Sequence, residues 1–225
     1  MSEKNTATTE PWWRKHVELI VVILLGVVSV STAYTSFQSG LYGGASADRI
    51  SKSEAAGTEA ESLYLEGNQQ LQKDSQTIGQ LEELKAAIDA GDPYAQAQYD
   101  ALYFISVTGT DLEPAFQDAA AQDEAEPDFW HDPQADETYQ DALFGAYGDT
   151  SNTSHDLRTE GDALGDQGDR LGFYTALMAI TLFLLGIAAV VKRAEMRWVL
   201  IAVGMGIFTL TAIFTALIPF VWIGF

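Results

Sequence analysis

The chain has 225 residues, no cysteine and a net charge of −20 at neutral pH. The lack of cysteine excludes disulfides and thiolate metal sites, and the acidity argues against nucleic acid as a partner, because phosphate binding needs a basic surface. Cations are the natural counterpart of this charge. The simpler interpretation is a solvated acidic surface that favours solubility or suits high salt.

Three apolar segments, residues 17–37, 171–191 and 198–222, are long enough to cross a membrane as helices. A segment of about 20 residues spans about 30 Å of hydrocarbon at about 1.5 Å per residue. Residues 38–170 between the first two segments hold 28 of the 32 acidic residues and only six of the 12 basic ones. The sequence therefore predicts an all-α protein with three transmembrane helices and an acidic helical domain inserted between the first and second.

The remaining basic residues predict the orientation of the spans. They lie in the N-terminal segment 1–16 and in the short loop 192–197, at Lys4, Arg14, Lys15, Lys192, Arg193 and Arg197. The positive-inside rule makes both segments cytoplasmic, so residues 38–170 and the C-terminus would lie outside the cytoplasmic membrane. The first span has a small-x-small site at residues 31–33, as a signal peptide would. Its apolar run is longer than usual for one, so we expect it to be retained.

The acidic segment is predicted to be helical, because it has few β-branched residues and no alternating apolar pattern. Residues 45–90 predict one long helix that ends at Gly91 and is separated from the first span by a bend at Gly40, Gly43 and Gly44. Asp92-Pro93 and Asp132-Pro133 each predict the start of a helix.

Shorter elements are predicted around these two starts. We expect a short helix over residues 111–116, a loop over 119–128, and a helix from Asp132-Pro133 that ends at Gly145 or Gly148. A polar stretch, residues 151–170, then leads into the second span.

Several short motifs resemble an uncharacterised family of prokaryotic three-span membrane proteins. Residues 31–44 read Ser-Thr-Ala-Tyr-Thr-Ser-Phe-Gln-Ser-Gly-Leu-Tyr-Gly-Gly, with Tyr42 where the family usually has Trp. Glu113-Pro114-Ala115-Phe116, Phe129-Trp130 and residues 169–174 are similar to later family motifs. The resemblance implies the three-span architecture with an extracytoplasmic helical domain, and it implies no activity.

No enzyme or cofactor motif is present, so we expect a non-enzymatic protein without a cofactor. The sequence has no phosphate-binding glycine loop, nucleophile elbow or His-Glu-x-x-His pattern. Its histidines are His16, near the cytoplasmic interface, and His131 and His155, in polar segments. A lone histidine without a partnered base and nucleophile predicts no catalysis.

Asp162, Asp166 and Asp169 form a row of carboxylates before the second span. Their spacing of four and three places them on one face of a helix, where they could attract cations. Calcium binds such oxygens, but the twelve-residue pattern of a helix–loop–helix calcium site is absent. A solvated surface is the simpler interpretation, and the identity of any metal stays open.

The first span carries a stripe of residues spaced alternately by three and four, which lies on one helical face. Its members are Glu18, Val22, Leu25, Ser29, Thr32, Ser36 and Ser39. In a pore lined by identical first spans, hydroxyls would replace water around an ion, Val22 and Leu25 would restrict the path, and Glu18 would lie at the mouth. Small and hydroxyl residues also let membrane helices pack closely, and that alternative stays open.

The sequence therefore predicts a non-enzymatic homo-oligomer in the membrane, with a small-cation channel lined by the first span as its specific activity. The alternative is a structural or accessory subunit whose outside domain binds a protein partner of unknown identity. A calcium-responsive membrane protein is the third hypothesis. Membrane lipids and cations are the other expected partners, and nucleic acid is not expected.

Overall fold

The computed structural model describes residues 16–126 and 128–220, and within them every regular element is helical. The α-helices are α1 (Val17–Asp89), α2 (Ala95–Ser106), α3 (Leu112–Ala125), α4 (Glu137–Val190) and α5 (Ala194–Leu217), with a 3-10 turn at Pro133–Ala135. Of these, α1, α4 and α5 each contain a stretch long and apolar enough to cross a membrane. The predictions of an all-α fold and of three candidate spans are confirmed.

The chain divides into two compact units. The terminal unit comprises residues 1–50 and 159–225, and the central unit comprises Ser51–Arg158. In the part of the chain that the structure describes, the terminal unit contains the start of α1, the end of α4 and all of α5. The central unit contains the rest of α1 and α4 together with α2, α3 and the 3-10 turn.

The core of the terminal unit lies among the three apolar helical stretches. Val21 and Val28 of α1, Met178 and Leu185 of α4, and Ile201 of α5 are buried together in one cluster. Because lipid tails are as apolar as these side chains, close packing rather than the hydrophobic effect holds such helices together.

The core of the central unit combines an apolar cluster with a buried polar network. Leu81 of α1, Leu112 of α3 and Tyr139 of α4 belong to the cluster. The Tyr139 hydroxyl donates to Asp74 Oδ2 at 2.8 Å, and Gln70 Nε2 donates to Asp74 Oδ1 at 2.9 Å. Burial, followed by the bond to Asp74, raises the pKa of Tyr139, so this phenol stays a proton donor.

The predicted stop at Gly91 is confirmed. Gly91 has a φ of 86°, and the amide of Asp92 donates to Ala87 O at 3.0 Å, as in a glycine-ended helix. The Asp92 side chain accepts from Tyr94 N at 2.8 Å, and α2 begins at the next residue, Ala95. The helix start predicted at Asp132-Pro133 is confirmed as the 3-10 turn, where the Asp132 side chain accepts a hydrogen bond from Gln134 N. Helix α4 follows this turn.

The helix predicted over residues 45–90 is not separate from the first span, because α1 runs unbroken from Val17 to Asp89; the bend expected at Gly40, Gly43 and Gly44 stays a prediction. A glycine inside a helix costs only about 1 kcal/mol relative to alanine. Two flanking side chains, Tyr42 and Ser46, are buried in the terminal unit, so packing outweighs the local preference.

Two other predicted helix limits are also wrong. The expected loop at 119–128 is mostly helix, since α3 extends to Ala125 with Ala115 and Ala119 buried on one face. The expected stop at Gly145 or Gly148 does not occur, and α4 continues through residues 151–170 to Val190. The third apolar helix ends at Leu217, and residues 221–222 of the predicted span lie outside the described residues.

Candidate functional site

The buried side of α1 in the terminal unit repeats every seven residues. Val21, Val28, Thr35 and Tyr42 are each at most 3% exposed. A seven-residue repeat is the pattern of helices that pack side by side along their length. This face of the first span is therefore occupied within the chain itself.

Two serines of α1 donate hydrogen bonds to the backbone of α4 in the terminal unit. Ser39 Oγ donates to Gly168 O at 2.8 Å, and Ser46 Oγ donates to Gly161 O at 2.7 Å. Ser46 lies seven residues after Ser39 in α1, and its partner Gly161 lies seven residues before Gly168 in α4. The two helices therefore run antiparallel. We call these four residues the serine–glycine seam.

The glycines of the seam are needed for the close approach of α1 and α4. A Cβ added at Gly161 would lie 2.9 Å from Ile50 Cγ1, and one added at Gly168 would lie 3.3 Å from Tyr42 Cβ. Both distances are shorter than ordinary van der Waals contact between carbon atoms, about 3.5–4.0 Å. Glycine at these positions lets the two helix backbones approach each other closely.

Within the central unit, α1 and α4 pack through similar chemistry. Ser53 Oγ donates to Ser154 O at 2.8 Å, and Ser154 Oγ donates to Ser53 O at 2.8 Å. A Cβ added at Gly67 would lie 2.7 Å from Leu143 O. Hydroxyl bonds and a glycine contact thus recur in each unit.

The structure divides the predicted first-span stripe into two halves. One half is partly buried and comprises Leu25, Thr32 and Ser39. Leu25 packs against the core, and Ser39 donates a hydrogen bond to Gly168 O. The other half is exposed and comprises Glu18, Val22, Ser29 and Ser36. The two halves therefore have different neighbours, although they share a helical face in the sequence.

The threonine hydroxyls of the first span donate within the chain. Thr32 Oγ1 donates to Val28 O at 2.7 Å, and Thr35 Oγ1 donates to Ser31 O at 2.9 Å. Thr35 also lies 3.7 Å from the Met178 sulfur. In the predicted stripe, Ser29 and Ser36 are the hydroxyls that remain exposed.

A second strip of small residues, which the sequence analysis missed, lies on the exposed side of α1. We call it the outer small-residue face; it consists of Gly26, Ser29, Ala33, Ser36, Gly40 and Gly43, all exposed. Beyond its chain neighbours and the adjacent backbone turns of α1, a Cβ added at Gly26, Gly40 or Gly43 would have no described atom within 4 Å. The recurrence at alternating three and four is visible in the sequence, where the glycines also predict a bend.

Large apolar side chains lie beside this face. Ile23, Val30 and Phe37 are each more than half exposed. Lipid contact favours such large apolar surfaces, whereas small and hydroxyl residues favour contact with another helix. The exposed surface of the first span thus has two chemically different sides.

The three candidate cation-attracting residues do not converge. Asp162, Asp166 and Asp169 are all exposed on α4. Across residues 16–126 and 128–220, no group of three or more His, Asp or Glu side chains is placed to hold a metal ion. Their attraction of cations through long-range charge stays a prediction.

His131 is paired with a carboxylate in the central unit. Its backbone amide donates to Asp123 Oδ1 at 2.8 Å, and its Nδ1 lies 2.9 Å from the same oxygen. These hydrogen bonds, that of the side chain first, hold the pKa of Asp123 below its usual value. The pair joins the end of α3 to the segment before the 3-10 turn, a structural role.

Comparison with known proteins gives no relative for this chain. No protein-family model matches the sequence, and neither the curated proteins nor the solved structures contain a match.

Proposed function

We propose that this protein is a non-enzymatic membrane protein that self-associates through the outer small-residue face of α1. Small cations would move along the axis where the first spans of the associated chains meet. The observation that carries the proposal is the exposure of this face. The seven-residue repeat of α1 is buried within the chain, whereas residues 26, 29, 33, 36, 40 and 43 are exposed.

The exposed half of the predicted stripe supports the cation path. Ser29 and Ser36 are two hydroxyl positions one heptad apart. Val22 supplies an apolar position nearer the N-terminus, and Glu18 lies four residues before Val22. Hydroxyls can replace part of an ion's hydration shell, and an apolar constriction can gate a pore by excluding water. The acidic residues of the chain, Asp162, Asp166 and Asp169 among them, would raise the local cation concentration.

The mass of the detergent-solubilised particle tests self-association. Ala33→Leu places a bulky side chain on the outer small-residue face and should shift the particle to a lower mass, because the close approach of two helices is blocked. Val30→Leu on the neighbouring large apolar side is the matched control and should keep the wild-type mass. A wild-type particle of one chain would refute the shared axis.

Conductance of the reconstituted protein tests the cation path separately. Ser36→Ala removes a hydroxyl without adding bulk and should lower cation conductance at unchanged particle mass, whereas Val22→Ser should raise it by wetting the constriction. Unchanged conductance in both variants would refute the path assigned to the first span, and a wild type that conducts no cations would refute the channel activity; both results leave self-association standing.

The accessory-subunit alternative is favoured by one specific observation in the central unit. Tyr94, Phe104, Phe129 and Trp130 are each more than half exposed, and exposed aromatic side chains are enriched in protein–protein interfaces. In that case the purified particle would contain one copy of this chain with a larger partner. Phe104→Ser should then release the partner, and Leu65→Ser, at an exposed position of α1, should not.

A further inference from the structure

A cavity of about 480 Å³ lies in the central unit, bordered by α2 and α3. Its volume falls within the range of about 300–1,000 Å³ that small-molecule sites occupy. The aromatic and charged members of its lining are Tyr99, Asp100, Tyr103 and Phe104 of α2 and Phe116 of α3. Asp100 is the one charged residue among the described residues that line it. We call this feature the aromatic cavity.

The aromatic rings of the cavity stand in two directions. Tyr99 and Tyr103 lie one turn apart on α2, with ring centroids 6.2 Å apart and planes 15° from parallel. The Phe116 ring centroid lies 5.6 Å from that of Tyr103, and the two planes cross at 73°. All three side chains also pack against the apolar core of the central unit, which holds them in place. The cavity thus has two aromatic walls that meet nearly at a right angle.

The electrostatic environment of these rings is negative. Residues 86–157 contain 16 acidic residues and no lysine or arginine. Burial raises the pKa of Tyr99, and the neighbouring Tyr103, Glu82 and Asp100 raise it further, so two carboxylates act on this ring. A positively charged ligand would therefore be attracted to the cavity and would meet no competing lysine or arginine from this segment.

Aromatic faces beside a carboxylate favour one class of ligand. The face of an aromatic ring attracts a cation that lies within about 6 Å of the ring centroid, and quaternary ammonium ions are recognised in this way. Their methyl groups make apolar contacts with the rings, while the carboxylate balances the charge. Phe104 is 72% exposed at the cavity, so a methylated ligand would also cover apolar surface there.

We propose that the aromatic cavity binds a small soluble quaternary ammonium ion of the choline type, with its methyl groups against the rings of Tyr103 and Phe116 and its charge balanced by Asp100. The cavity is small enough for a solute of this size to fill much of it. The site lies wholly between α2 and α3. It is therefore independent of self-association through α1 and of cation movement along the first spans.

Calorimetric titration of the full chain with choline chloride tests the proposal. The protein is held in a maltoside detergent without phospholipid, and sodium chloride keeps the ionic strength constant. Dimethylbutanol, in which carbon replaces the choline nitrogen, should bind about tenfold more weakly than choline, because it has the same shape without the charge. Glycerophosphocholine, which carries the ammonium group of a lipid headgroup beside an anionic phosphate, should also bind more weakly in this acidic environment.

Asp100→Asn tests the carboxylate of the cavity. The substitution removes the charge and keeps the shape of an exposed side chain, and it should weaken choline binding about two- to fivefold. Asp118→Asn is the matched control, since Asp118 is exposed on α3 outside the lining and its loss changes the net charge equally. This control should keep the choline affinity of the wild type.

Two ring positions test the aromatic walls. Phe104→Leu removes an exposed ring from the lining and should weaken choline binding about two- to fivefold, whereas Tyr94→Leu removes an equally exposed ring outside the lining and should not. Tyr103→Leu should weaken it by a similar factor, and Tyr103→Phe, which keeps the ring, should retain wild-type affinity. Thermal melts of each variant verify that the fold is intact.

Four results would overturn the proposal. Absence of choline binding to the wild type would remove the site. Equal affinity for choline and dimethylbutanol would show an apolar groove that does not recognise charge. Equal or tighter binding of glycerophosphocholine would assign the cavity to a lipid headgroup instead of a soluble ion. Unchanged choline affinity in both Asp100→Asn and Phe104→Leu would place the bound ion elsewhere on the acidic surface.

Discussion

Replacement of Gly161 by alanine tests the close packing of α1 against α4 in the terminal unit. The new Cβ would lie 2.9 Å from Ile50 Cγ1 and 3.3 Å from the Ile50 backbone nitrogen. The backbone nitrogen belongs to a helix and cannot move by itself, so α1 and α4 must separate locally. The Gly161 carbonyl also accepts the Ser46 hydrogen bond, which that separation lengthens.

The expected loss follows from three contributions. Overpacking by one methyl group in a tight contact costs about 1–3 kcal/mol, and loss of a hydrogen bond costs about 0.5–1.5 kcal/mol. Alanine is a better helix former than glycine by about 1 kcal/mol, which offsets part of the loss. We expect Gly161→Ala to lower the free energy of unfolding by about 1–3 kcal/mol.

The assay is unfolding of the detergent-solubilised full chain by increasing sodium dodecyl sulfate, followed by circular dichroism. Gly148→Ala is the matched control, because the same substitution in the same helix meets no atom within 4 Å; it should be neutral or stabilising by about 1 kcal/mol. Ile50→Ala removes the clashing Cγ1, so the double variant should recover part of the loss. If Gly161→Ala is as stable as Gly148→Ala, the seam does not hold the helices at the observed separation.

Three further predictions concern the central unit and its helix ends. Tyr139→Phe should lower the free energy of unfolding by about 1.5–3 kcal/mol, because the buried Asp74 carboxylate loses a hydrogen-bond donor; denaturant titration measures it. Asp123 has a lowered pKa through its bonds to His131, so it stabilises the fold above its unfolded pKa and this stabilisation disappears as pH falls through the folded pKa. Asp123→Asn should therefore be less stable than wild type near neutral pH and should approach it in acid, as thermal melts across pH would show. Gly91→Ala should cost about 1–2 kcal/mol, since its φ of 86° is unfavourable for a side chain.

Two of these predictions have a control in the same unit. Tyr94→Phe, at a residue 72% exposed, should leave stability unchanged. Gly79→Ala lies inside α1 and meets no atom within 4 Å, so it should stabilise where Gly91→Ala destabilises. If the difference in melting temperature between the wild type and Asp123→Asn grows as the pH falls, the predicted pH dependence is wrong.

Local signals predicted the helix ends that depend on local chemistry. Gly91 stops α1 because its positive φ suits only glycine, and Asp132 caps the 3-10 turn with its own side chain. The glycines at 145 and 148 gave the same signal and stop nothing. The difference lies in tertiary packing: the residues after them, Ser154 and Gly161, bond to α1, which a single sequence does not show.

The sequence also predicted a polar stripe on the first span without determining which side of it is buried. Positions 21, 28, 35 and 42 form the buried repeat, and the predicted stripe lies next to it. Thr32 and Ser39 fall on the partly buried side, and Ser29 and Ser36 fall on the exposed side. Small and hydroxyl residues occur on both faces, so spacing alone cannot separate packing within the chain from contact with a second chain.

The hydroxyl–carbonyl bonds between α1 and α4 have a consequence for the ionic conditions that the protein tolerates. They join uncharged groups, such as Ser46 and the Gly161 carbonyl, so dissolved ions do not weaken them by screening. Repulsion among the carboxylates of a chain with a net charge of −20 is screened by the same ions, over about 10 Å at 0.1 M and about 3 Å at 1 M. Added salt should thus weaken the repulsion between carboxylates without weakening the hydroxyl–carbonyl hydrogen bonds. The free energy of unfolding should therefore rise with salt concentration.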